Sequence, residues 1–70
     1  MHPDTIKKLA AMIAFIKAYQ MEQQTSPSYA EIGAEIHCNE TYVGRLLLAA
    51  EKRGMIRRVY GARRDIEVLA

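Results

Sequence analysis

The sequence predicts an α+β fold: three helices followed by a two-stranded β-hairpin, in one domain covering residues 1–70. Three observations carry this reading. Apolar residues recur at three- and four-residue steps from Ile6 to Ala50, the period of helices with one buried face. Two side-chain caps, Ser28 and Asn39, divide that stretch. After Gly54 the pattern changes to short runs of branched and aromatic residues around a glycine-containing turn, the signature of a hairpin.

The first helix is expected over residues 4–22, with Asp4 or Thr5 as its N-cap. Ile6, Leu9, Ile13 and Ile16 form one stripe, and Met12, Phe15 and Tyr19 a second beside it. So wide an apolar face suits a helix packed against several neighbours, with a dimer surface as the other use. "QQTSPS", residues 23–28, breaks the helix, because Pro27 disfavours helical backbone at the residue before it. Ser28 followed by Glu31 is a capping box, so a second helix is expected over 29–36, with Ile32 and Ile36 inward. Asn39 caps a third helix over 40–53, in which Val43, Leu46, Leu47 and Ala50 face inward. Gly54 stands where a helix commonly ends in a left-handed residue. "MIRRVY" and "DIEVL", joined by "GARR", then make a hairpin over 55–69, which must pack on the helices because a lone hairpin is marginal in water.

Length and composition bound the function. A 70-residue chain buries only about 60% of its unfolded surface, so its core is small. Its single cysteine, Cys38, permits no internal disulfide, and one cysteine with His2 and His37 falls short of the four ligands of a structural zinc site. There is no apolar run of 18 residues and no secretory leader pattern, which leads to the expectation of a cytoplasmic protein with no membrane partner. Ser26 and Ser28 have no His or Asp arrangement beside them, and no phosphate-cradling glycine loop is present. No enzymatic activity, cofactor, metal or small-molecule substrate is therefore expected.

The net charge of +2 conceals an asymmetry. Residues 1–40 carry a net charge of −2, residues 41–64 carry +6, and the tail with Asp65 and Glu67 returns −2. Such concentration of Lys and Arg suggests a polyanionic partner; local pairing with Glu51, Asp65 and Glu67 is the plainer alternative. Helix, short helix, tight turn, longer helix and hairpin is also the order of a winged helix-turn-helix. There the last helix enters the DNA major groove led by its N-terminal residues, and the hairpin is the wing.

"SPSYAEIGAEI" and "NETYVGRLLLAAEKRGMIRRVYGARRDIEVL" resemble the N-terminal DNA-binding domain of the LexA repressor family. The shared features are a proline before a capped second helix containing "AEI", a recognition helix ending in a basic pair plus Gly, and a wing with a "GA" turn and a basic residue. The likeness spans essentially the whole chain and is most specific in residues 27–36 and 46–69. It departs in a connection before the third helix that is one residue shorter, and in the types of the base-facing residues, so the family's operator is not implied. Full-length members add a self-cleaving serine–lysine peptidase domain that also dimerises. This chain ends at Ala70, just after the wing, so neither cleavage nor that dimer is implied. Two possibilities follow: an excised fragment, or a small free-standing bacterial or phage regulator.

Carried onto this sequence, the resemblance implies base contacts from Thr41, Tyr42, Gly44 and Arg45, and a helix cap and phosphate contact from Asn39. The chemistry agrees. Arg can bond guanine O6 and N7 together, Thr can bond a base or meet a thymine methyl, and Tyr can reach a phosphate or a base edge. Gly44 would act by leaving room for the groove, or equally by close packing on the second helix. Glu40 can tune the sequence read or serve only the helix dipole. Arg63 and Arg64 at the wing tip, and Arg57 and Arg58 on its first strand, are candidates for the backbone or minor groove. Adjacent strand residues face opposite ways, so Arg57 and Arg58 cannot both meet DNA on a regular strand. Tyr29 can meet the backbone or pack on the first helix, and Lys52 and Arg53 can merely complement the helix dipole.

The expected function is sequence-specific binding of double-stranded DNA by a small transcriptional regulator or repressor, as a homodimer or with a protein partner. The rival is a winged helix that docks on a transcription, replication or repressor protein, an idea that the outward-pointing Leu48 fits.

Overall fold

The computed structural model describes residues 2–59 and 65–69. Five elements follow in order: α1 (Pro3–Gln23), α2 (Tyr29–Ile36), α3 (Glu40–Lys52), β1 (Ile56–Val59) and β2 (Asp65–Val68). The strands pair antiparallel, so the architecture is α+β, three helices followed by a hairpin.

The helix ends follow from local chemistry. Neither Asp4 nor Thr5 caps α1. His2 does: its Nδ1 accepts from the Asp4 backbone N–H at 3.2 Å, and Pro3 occupies the first helical position. Proline has no N–H to leave unsatisfied there and its ring fixes φ near the helical value, so the start moves back to Pro3. At the α2 start the capping box forms as expected. The Glu31 N–H donates to Ser28 Oγ at 3.1 Å, and the Ser28 N–H donates to Glu31 Oε1 at 2.9 Å. Asn39 Oδ1 accepts from the Tyr42 N–H at 2.8 Å and so caps α3.

α3 stops at Lys52, one residue short of expectation, with Arg53 as its cap and Gly54 at φ +73°. The Gly54 N–H reaches the Glu51 carbonyl at 3.1 Å and the Met55 N–H reaches that of Ala50 at 2.9 Å. These two bonds close the helix and need a left-handed residue that glycine supplies without strain.

The core joins Leu9, Met12, Ile13 and Ile16 of α1, Ile32 and Ile36 of α2, Val43, Leu46, Leu47 and Ala50 of α3, and Ile56 and Ile66 of the hairpin. Burying each large side chain is worth about 1.5–3 kcal/mol. Ile6, expected in the α1 stripe, is 52% exposed. At about 1.5 Å rise per residue, the 21-residue α1 is roughly 31 Å long, while the eight-residue α2 and 13-residue α3 are shorter. The start of α1 therefore overhangs the core and leaves Ile6 uncovered, whereas Met21, 84% exposed, points well round the helix from the buried stripe.

The hairpin is fastened through its second strand. Ser26 Oγ accepts from the Ile66 N–H at 2.9 Å and from Gln20 Nε2 at 3.1 Å, and Gln20 Nε2 also donates to the Ile66 carbonyl. The segment between α1 and α2 thus holds β2 with a side chain. No described helix is long and apolar enough to cross a membrane.

Candidate nucleic-acid interface

The residues expected to contact DNA lie on α3, the start of α2 and the hairpin, and the fold sorts them. Successive helical residues turn by about 100°, so with Val43, Leu46, Leu47 and Ala50 buried, Thr41, Arg45, Leu48 and Lys52 form the opposite stripe. All four are exposed. No carboxylate stands on this stripe. Glu40 and Glu51 fall to one side of it, the side of Gly44.

Tyr42 falls to the other side. It is half-buried against the core, and the Lys8 ammonium of α1 lies 5.5 Å from its ring centroid. Lys8 Nζ also donates to Cys38 Sγ at 3.2 Å. That sulfur, as acceptor and as a neighbouring charge, holds the Lys8 ammonium above its ordinary range. A lysine from the acidic half of the chain therefore stands beside the tip of α3. Sequence reading did not single it out, because the two residues that hold it are 30 and 34 positions away.

On the Gly44 side, a Cβ built at Gly44 would lie 3.6 Å from Tyr29 Cε2, an ordinary contact. Close packing on α2 does not require glycine there. The Tyr29 ring carries the Arg58 guanidinium 5.9 Å from its centroid. Arg58 Nε and Nη2 are buried and find no hydrogen-bond acceptor among the described residues. Tyr29 thus adjoins both Gly44 and Arg58.

The two strand arginines separate as alternation demands. The register places Arg58 opposite Ile66 and Arg57 opposite Glu67. Arg58 shares the face of the buried Ile56 and Ile66, towards the helices, whereas Arg57 is exposed on the other face with its Nη2 2.6 Å from Glu67 Oε2. Asn39 is exposed, with its Oδ1 engaged in the cap. Arg63 and Arg64 lie outside the described residues.

One residue that shapes this surface escaped the sequence reading. A Cβ at Gly33 would come 2.4 Å from the Cys38 carbonyl oxygen. The Cys38 N–H bonds the Gly33 carbonyl at 2.8 Å, and His37 takes the left-handed conformation at φ 59°. Gly33 lets the turn fold back on α2, which sets where α3 begins. Among the described residues no group of three His, Cys, Asp or Glu side chains is placed to hold a metal ion. Compared with protein-family models and with curated proteins, the chain matches none.

Proposed function

We propose that this protein is a winged helix-turn-helix that binds duplex DNA sequence-specifically, as a small transcriptional regulator or repressor. In this reading α2 and α3 are the helix-turn-helix, α3 enters the major groove, and the hairpin is the wing. The observation that carries it is the exposed α3 stripe: Thr41, Arg45 and Lys52 present a donor-rich, carboxylate-free surface directly opposite the buried one. Arg58 stands over the Tyr29 ring, at the hairpin side of that surface. The likeness of residues 27–36 and 46–69 to the LexA repressor's DNA-binding domain supports the same assignment. Tyr29 and Arg58 would meet the phosphate backbone, Arg45 a guanine, and Arg63 and Arg64 the backbone or minor groove at the wing tip. The protein would act in the cytoplasm, on the chromosome or on phage DNA.

The test is binding to random-sequence duplex as salt is raised. Each phosphate neutralised contributes about 0.9 to the slope of log K against log salt, so affinity should fall steeply. Absence of binding at low salt overturns the reading. Once a preferred site has been selected from a random pool, Arg45→Ala should flatten the preference, whereas Arg63→Ala with Arg64→Ala should weaken all duplexes alike. A preference that survives Arg45→Ala would mean that α3 is docked in another orientation.

A second reading rests on Leu48, which is 48% exposed on the same stripe. A winged helix that docks on another protein would use such a residue as an anchor. A chain that binds no duplex but captures a transcription or replication protein through Leu48 would establish it.

A further inference from the structure

We propose that Leu48 reads the C5-methyl group of a thymine in the major groove. This rests on the DNA-binding reading above and names a specificity determinant within it. Leu48 lies seven residues, two turns, beyond Thr41 and three beyond Arg45, on the exposed face of α3 opposite its buried stripe. A helix lying in the groove through Thr41 and Arg45 brings position 48 to the base pairs next along it.

The chemistry of the stripe selects the target. Every other member is polar or cationic: Thr41, Arg45 and Lys52. An anchor for an apolar protein surface would be expected to share its patch with further apolar side chains. The other large exposed apolar residues among those described are Ile6 and Met21 at the two ends of α1 and Leu69 after β2. None of them is on α3. An apolar tip isolated among cations matches a groove whose walls are phosphates and whose only apolar feature on a base edge is the thymine methyl.

Leucine offers no hydrogen bond, so it cannot read base donors or acceptors. It discriminates only by burying the methyl. Burying one such group is worth about fourfold in affinity.

The experiment uses the intact chain and the duplex selected from the random pool, with each thymidine replaced in turn by deoxyuridine, which pairs identically and lacks only the methyl. Wild-type protein should lose affinity about fourfold at one thymine. Leu48→Ala should bind the unmodified site more weakly and be indifferent to the same replacement, with an unchanged circular dichroism spectrum. The proposal fails if the selected site holds no thymine sensitive to the replacement, or if Leu48→Ala keeps the sensitivity. Loss of sensitivity in Thr41→Ser together with its retention in Leu48→Ala assigns the methyl to Thr41 and overturns the proposal. Each of these outcomes leaves DNA binding standing, whereas no binding of any duplex at low salt removes both.

Discussion

Two glycines on neighbouring helices answer to different constraints. At Gly33 an added Cβ would collide with a backbone oxygen of the turn, and a carbonyl fixed by its neighbours cannot swing aside as a side-chain tip can. At Gly44 the nearest atom is an aromatic carbon at ordinary contact distance. Gly33→Ala should therefore destabilise the domain by about 1–3 kcal/mol through overpacking. Gly44→Ala should raise stability by about 0.5–1 kcal/mol, the usual gain from alanine in a helix. Urea unfolding of both variants checks this pair, and equal effects would contradict the close approach at Gly33. If Gly44→Ala folds more stably yet binds DNA more weakly, the glycine serves the groove. None of this distinction is legible in the sequence, where both are glycines inside helical patterns. What separates them is the path of residues 37–38, which passes over one and misses the other.

The elements show how short-range signals translate into structure. Ser28 and Glu31 lie three apart and need no tertiary help, so the α2 start was legible and formed as expected. The α1 start went to His2 and Pro3 because proline's fixed φ outweighed the better capping chemistry of Asp4 or Thr5. The capping box also gives a pH dependence. Hydrogen bonds from the Ser28 N–H, then from the Tyr19 hydroxyl and the Ser28 side chain, hold the Glu31 carboxyl below its ordinary range. In the acid window between the folded and unfolded values, the unfolded chain binds more protons, so stability rises with pH there. The contribution is complete above the ordinary carboxylate range and is lost as pH falls through the folded value. Glu31→Gln should lower stability at neutral pH and flatten the acid limb of thermal stability against pH. An acid limb as steep as the wild type's would show that the box contributes nothing through ionisation.

For the whole molecule the decisive feature is that α3 is divided lengthwise. Leu47 is fully buried and its neighbour Leu48 is 48% exposed. Leu47→Ala should cost about 2–5 kcal/mol, a large share of the 5–15 kcal/mol typical of a domain, whereas Leu48→Ala should stay within about 0.5 kcal/mol. Guanidinium unfolding of the pair tests the orientation of α3, and comparable losses would mean that the helix is turned from the position described. The amino-acid pattern alone was enough for the three helices, the hairpin, the caps of α2 and α3 and the inward residues of α3. Those follow from periodicity and from contacts within a few positions, where chain connectivity fixes who meets whom. Tertiary packing, by contrast, decided that Ile6 overhangs the core and that Ser26 and Gln20 fasten β2. It also decided that Lys8 stands beside Tyr42, and that Tyr29 adjoins both Arg58 and Gly44. Each of these depends on the relative length and crossing of elements far apart in the chain. No local pattern encodes such distances; the packing of the shared core sets them.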